Sequence, residues 1–388
     1  MPQSYDVVAF SSMTTRAGSA IRLRSLCRHL ARRGCRVLLT ERAYPGDVAL
    51  AESNLTHWLY RTEHRPLPLA LAASLWNNLR VAASVRARVV LALKPLPNAA
   101  LPALLLGLRG ARTVVDVDDL DPEYYRSVAA RSAVGVVFRR IPRCFEHVVT
   151  HNRFLREILQ AECGVDADRI ADLPQGIELE RFRGICPDDG LRQHLGLTGK
   201  RVVAYLASLG MTSDLDEALP ALARFAASDE RRAVLVVGGG SRLAELRERT
   251  GCLVGGDKVV FAGPVPHEEV PRYLGLCVAG FNYMADTRAN RCRASIKVRE
   301  YMAAGLRVVC NPVGELGDLE GLFVSYRTPE GIAAALEQAL GDDTQGQRER
   351  ARAWVEDRCD WDRIAATFLV DVGFEPGGSP GVRARAKC

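Results

Sequence analysis

Short apolar runs alternate along this chain with stretches whose apolar residues recur every three to four positions. Residues 5–10 form one run, followed by a polar loop, 11–19, that contains Gly18. Apolar residues at helical spacing then fill 21–33, Gly34 interrupts, and a second run occupies 35–40. A strand, loop, helix, glycine, strand order predicts the βαβ unit that opens a parallel sheet covered by helices. Further runs at 88–93, 112–117 and 147–150 extend it, and 171–174 closes this half. The pattern restarts after a polar segment, 184–200. Strands are predicted at 201–206, 233–237, 258–262, 279–283, 307–311 and 322–325, with helices at 215–227, 242–250, 268–276, 295–304, 329–340, 345–359 and 361–370. Two such series predict an α/β protein of two Rossmann-like doubly wound domains facing across a cleft, with ligands at the carboxyl ends of the strands. The expected division is 1–183, an N-terminal domain; 184–355, a C-terminal domain; 356–372, a helix packing back toward the first domain; and 373–388, a disordered Gly-, Pro- and Arg-rich tail.

At 388 residues the chain exceeds what one core usually fills, which agrees with two domains. With 48% hydrophobic and 25% charged residues it excludes disordered and fibrous classes. The most apolar stretches, 66–75 and 99–108, are too short to span a bilayer. The opening MPQSYDVVAFSSMTT reads as a strand rather than an export signal, so the expected location is cytoplasmic, at most peripheral to the inner membrane face. The eleven cysteines show neither CxxC pairs nor ligand clusters and read as reduced thiols; the histidines lack zinc spacing, so no metal site is expected. The net charge of +6 is concentrated in the N-terminal half. That excess serves solubility or offers a face to anionic lipid headgroups or a polyanionic acceptor. Without a compact basic stripe or interleaved aromatics, nucleic acid is not an expected partner.

Candidate chemistry concentrates in RCRASIKVREYMAAGLRVVCNP, residues 291–312. Arg291, Arg293 and Lys297 surround the start of a predicted helix with Ser295 at its N-cap. Free N–H groups and the positive dipole end suit a diphosphate. Glu300, three residues beyond Lys297 and on nearly the same helical face, could accept from two vicinal ribose hydroxyls. A plain surface Lys–Glu pair is the alternative at this spacing.

The string SIKVREYMAAGLRVVCNPVGE resembles the donor-binding helix of the retaining family 4 glycosyltransferases. In the same order, LPQGIELERF, YLASLG, LVVGGG, VVFAGPVPHEEVPRYL and DRCDWDRIAATF resemble further segments of that family, and VVDVDDLDPE does so more loosely in the N-terminal half. The resemblance implies the GT-B fold, with 1–183 as the acceptor-binding domain and 184–355 as the nucleotide-sugar-binding domain, transfer with retention at the anomeric carbon, and no cofactor or metal. It implies that Glu300 binds the donor ribose and that Lys297, with the amides of Ser295 and Ile296, holds the diphosphate. Residues 259–266, Val265 among them, would line the base, and Gly18, Ser208 and Gly239 would complete the donor site. Lys297 and Arg293 would be catalytic by stabilising the departing diphosphate.

Three positions depart from the family pattern. Cys292 stands where an earlier Glu is usual, the loop 208–214 carries no cation, and Asp118 is the closest match to a His that relatives present to the donor sugar. Asp118, assigned a catalytic role, and Asp119 follow a strand and could meet a donor sugar or an acceptor, hold a metal as D-x-D, or cap the loop. His151 could bind acceptor or be hydrogen-bonded within its loop. The triple glycine at 238–240 fits a tight strand-to-helix turn as well as a ligand.

The partners expected are a nucleotide-sugar donor, most simply UDP-linked, and a hydroxyl-bearing acceptor such as an amino-sugar or cyclitol natural product or a cell-envelope glycan. Alanine- and arginine-rich, lysine-poor usage fits a bacterial source. Two rivals share the fold: a non-hydrolysing sugar-nucleotide epimerase and a non-catalytic partner subunit. The sequence fixes no oligomeric state.

Overall fold

The structure, a computed structural model, describes residues 3–62, 67–210, 213–341 and 345–375. The expected tail lies, from residue 376 onward, outside the described residues. The backbone divides into two compact units. One joins Met1–Pro174 with Trp361–Cys388, and the other is Gln175–Asp360. The division falls at Pro174, earlier than the expected 183.

The first unit is built on seven strands: β1 (Gln3–Thr14), β2 (Val37–Ala43), β3 (Leu55–Arg61), β4 (Val85–Leu93), β5 (Arg112–Asp116), β6 (His147–Thr150) and β7 (Ile170–Asp172). All pairings are parallel, in the order β3-β2-β1-β4-β5-β6-β7. Strands covered on both faces are apolar throughout rather than alternating. Val7, Val8, Ala9 and Phe10 accordingly are all fully buried, with Val7 aligned to Val37 on one side and Val89 on the other. The helix Gly18–Arg32 turns Ala20, Leu23, Leu26, Cys27, Leu30 and Ala31 inward, the helical spacing of an amphipathic face. Trp361, Ile364, Ala365, Phe368 and Leu369 of the helix Trp361–Asp371 enter the same core.

The second unit has β8 (Arg201–Leu206), β9 (Arg232–Val237), β10 (Val259–Gly263), β11 (Ala279–Asn282), β12 (Arg307–Cys310) and β13 (Val324–Ser325), ordered β10-β9-β8-β11-β12-β13. In each unit the chain direction across the sheet reverses once, between β1 and β4 and between β8 and β11. Beyond the carboxyl ends of those strands loops diverge and leave room for a ligand.

Several elements differ from expectation. β1 runs through Thr14, so the first part of the expected polar loop is strand; its register on β2 shifts between Phe10 and Thr14. β3 and the helix Leu67–Ser84 were not anticipated. The polar segment 184–200 holds a short helix, Asp189–His194, capped by Asp188, whose Oδ1 accepts from the Leu191 N–H at 2.8 Å. Among the described residues no helix is long and apolar enough to cross a membrane.

Candidate functional site

In the second unit, the helix Ile296–Ala303 follows β11 and starts beside the β8–β11 reversal. Its seat is set by Tyr301, whose buried ring lies against Gly280 of β11. A Cβ at 280 would run into that ring. The Tyr301 hydroxyl accepts from the Leu206 N–H at 2.7 Å, pinning the helix to the carboxyl end of β8. On the other side, Arg299 and Glu315 form a buried bidentate ion pair at 2.7 and 2.9 Å. Fork-to-carboxylate geometry fixes orientation as well as charge.

The N-terminus of this helix is polar and under-satisfied. Ser295 occupies the N-cap position, but its hydroxyl makes no capping bond and is buried without a hydrogen-bond partner among the described residues, while its N–H donates to Glu315 Oε1 at 3.1 Å. Ile296 packs against the unit's core. Lys297 is half-buried, with Nζ 4.6 Å from the centroid of the Tyr205 ring. An ammonium over an aromatic face is attracted by the ring quadrupole. Burial and the neighbouring Arg293 guanidinium push the Lys297 ammonium down to about 8, against the pull of Asp214 and Glu300. An anion beside these like charges would relieve their repulsion. Arg293 donates to Asn290 Oδ1 at 3.2 Å, and Asn290 in turn donates to Asp214 Oδ2 at 2.9 Å. Arg291, expected to share the phosphate load, is exposed and bidentate to Asp286 at 2.6 and 2.8 Å. Cys292 is buried.

Glu300 is buried, and its Oε1 lies 2.7 Å from His267 Nε2. Among the described residues no ion pair joins it to Lys297, so the pair is not the plain salt bridge its spacing allowed. The glycines at 238–240 answer to geometry: Gly238 (φ +142°) and Gly240 (φ +156°) have no room for a Cβ against the backbone of Ala207 and Leu209. A Cβ on Gly239 would meet the Pro264 ring at 2.8 Å. Ser208 is exposed and Val265 packs partly into the core. Of the loop 208–214, residues 211 and 212 lie outside the described residues; Asp214, in place of a cation, ties down the Ala285 N–H at 3.0 Å.

In the first unit, Lys94 follows β4 and dominates the β1–β4 reversal. Its ammonium is buried between Asp118, Asp119 and Asp121 at 2.9, 3.0 and 3.0 Å. Its backbone is left-handed (φ +65°), a conformation few non-glycine residues adopt. Burial alone would lower the Lys94 ammonium, but the three carboxylates outweigh it and hold it well above its ordinary value. Burial raises the Asp121 carboxyl to about 6 despite Lys94. Burial is outweighed at Asp118, which Lys94 and the Ser19 hydroxyl keep below the usual range. Asp118 and Asp119, expected to meet a donor sugar or acceptor, hold a metal or cap the loop, are partners of Lys94, and Asp119 also accepts from the Tyr124 hydroxyl at 2.9 Å. An ammonium sits where the D-x-D reading would put a metal. His151 Nε2 lies 2.7 Å from the Asp118 carbonyl, a hydrogen bond between loops. Asp116 pairs with the buried Arg22 at 2.9 Å. Gly18, the first residue of its helix, is exposed with open space around it.

Sequence reasoning missed Lys94, His267, Arg181 and Tyr205. The one signal was a lone Lys inside the apolar run LALKPLP.

Two Rossmann-like sheets with this strand order and a cationic helix start define an α/β protein of the GT-B class. Family models match both units: a "Glycosyl transferase 4-like domain" over residues 17–176 and "Glycosyl transferases group 1" over residues 200–342. The chain belongs to the family 4 glycosyltransferases. It is 28% identical over 215 residues to a GDP-mannose-dependent alpha-(1-6)-phosphatidylinositol monomannoside mannosyltransferase of Mycobacterium tuberculosis, covering 50% of this chain and 53% of that protein. The match therefore spans about half the length of that curated relative. Among solved structures, sucrose-phosphate synthase from Thermosynechococcus elongatus superposes with a TM-score of 0.73 at 18% identity, covering 94% of this chain and 97% of the other. Anabaena HepE in complex with UDP and glucose superposes with a TM-score of 0.72 at 16% identity, covering 95% and 99%.

Proposed function

We propose that this chain transfers a hexose-type sugar from a nucleoside diphosphate to an acceptor hydroxyl, with retention at the anomeric carbon and without a metal ion. The observation that carries the reading is the start of the helix Ile296–Ala303, where Lys297 lies over the Tyr205 ring, the buried Ser295 hydroxyl has no partner among the described residues, and buried Glu300 follows one turn later. The leaving diphosphate gains negative charge as the glycosidic bond breaks. Fixed cations and helix N–H groups then stabilise the transition state more than the ground state. Glu300 accepts from the ribose, the Ile296 amide and the Ser295 hydroxyl meet the phosphates, the Ser295 amide being taken by Glu315, and the stretch with Gly239 and Val265 borders the base. In the first unit Asp119, 23% exposed, is the most exposed carboxylate of its cluster and the one best placed to meet an acceptor hydroxyl. The basic excess of the N-terminal half supports an acceptor carrying negative charge, or contact with an anionic membrane surface.

UDP is the first donor to test. GDP-mannose is the second, favoured by its use as donor by the mycobacterial relative. Mass spectrometry of UDP-glucose, UDP-GlcNAc and GDP-mannose crossed with amino-sugar, cyclitol and lipid-linked acceptors should show one acceptor gaining a single hexose unit. Glu300→Ala should lower kcat/KM for that donor by roughly 10- to 100-fold. Epimer formed from the donor alone, or no nucleotide binding at all, would sink the reading.

A further inference from the structure

Lys297 and Glu300 stand three residues apart on one helix, the spacing at which opposite charges pair readily. Such a pair would disable the proposed donor site twice, by neutralising the phosphate cation and by occupying the ribose acceptor. The structure shows a different arrangement. Lys297 lies over the Tyr205 ring, and Glu300 Oε1 is held by His267. His267 sits in the turn after β10 and is itself fixed from behind. One Arg181 guanidinium nitrogen lies 3.0 Å from His267 Nδ1, and the other donates to the His267 carbonyl oxygen. A guanidinium has donors only, so Nδ1 must offer its lone pair and the ring proton resides on Nε2. That N–H is aimed at Glu300 Oε1, 2.7 Å away. Glu300 Oε2 makes no hydrogen bond among the described residues, and the side chain is 6% exposed.

We infer that Arg181 and His267 are positioning residues: a guanidinium-to-imidazole relay that holds Glu300 away from Lys297 and presents its second oxygen to the vicinal hydroxyls of a ribonucleoside diphosphate. The inference rests on the reading of Glu300 as the ribose ligand. It assigns the pair a selectivity for ribose over a sugar lacking those hydroxyls. A site built to accept from hydroxyls is penalised when they are absent, because its buried polar group is left unpaired.

The test is calorimetric titration of the full chain with UDP and with 2′,3′-dideoxy-UDP, and with the guanine pair GDP and 2′,3′-dideoxy-GDP. The variants are His267→Leu, His267→Gln, Arg181→Met and Glu300→Gln. His267→Leu should weaken the ribonucleotide roughly tenfold and leave the dideoxy compound unchanged, since one hydrogen bond to a charged group is at stake. His267→Gln places an amide N–H near the same point and should restore most of the loss. Arg181→Met should show a smaller loss of the same selectivity. If His267→Leu does not fold, the Gln and Met variants carry the comparison. Equal losses for both nucleotides would overturn the inference, as would tighter ribonucleotide binding, which would mean that the ring blocks the site. If the wild-type chain and Glu300→Gln both ignore the ribose hydroxyls, the failure lies in the reading of Glu300 itself.

Discussion

At the scale of single residues, Lys297 carries a measurable pH dependence. In the free protein its ammonium is pushed down to about 8 by burial and by Arg293. Below that pH the amine is charged and can pair with a diphosphate; above it the neutral amine cannot, and binding must first recover a proton. Nucleotide affinity should therefore fall as pH rises through about 8, approaching tenfold per pH unit, and Lys297→Arg should flatten the profile. Calorimetry between about pH 6.5 and 9.5 would check this, and an unchanged decline in Lys297→Arg would place the titrating group elsewhere. Lys297 and Glu300 were legible in the sequence because helical spacing puts them on one face. Their partners were not. Arg181, His267 and Glu300 are brought together across three separate segments, and Lys94 meets its aspartates from another strand. No local period encodes such meetings. Cys292 was legible as a departure; its burial tells only that its thiol is withdrawn from solvent.

At the scale of elements, the donor helix owes its position to one contact between a glycine and a ring. Gly280→Ala would place a methyl group inside the space of the Tyr301 ring, displacing the hydroxyl that receives the Leu206 N–H. Overpacking of this kind costs about 1–3 kcal/mol. Thermal unfolding should show a lower Tm, and nucleotide binding should weaken because the helix start shifts. A variant with wild-type Tm and affinity would mean that the ring relaxes freely. Central strands such as β4, β8 and β9 were legible because burial on both faces makes them continuous apolar runs. β3 was not, since it lies at the sheet edge and alternates buried Leu55 with exposed Thr56, as a strand covered on one side does. The helix Leu67–Ser84 was missed because its apolar residues are not confined to one stripe: Leu69 and Trp76 are exposed.

At the scale of the whole molecule, two domains were legible from the repeated strand and helix order, while the chain's return to its first unit rests on packing. Trp361, Ile364, Phe368 and Leu369 complete a core shared with β1, β4 and the helix Gly18–Arg32. Burying each such side chain contributes about 1.5–3 kcal/mol. A chain ending at Asp360 should therefore lose the first unit's cooperative unfolding transition while the second still melts as a unit. Calorimetric scanning would check it, and two intact transitions would contradict the assignment. The same return has a consequence on the ribosome. Residues 175–360 are contiguous and can finish folding as they emerge, whereas the first unit must wait for the helix Trp361–Asp371. The seven-stranded unit is thus the later to mature, and its apolar sheet depends meanwhile on whatever shields nascent chains from aggregation.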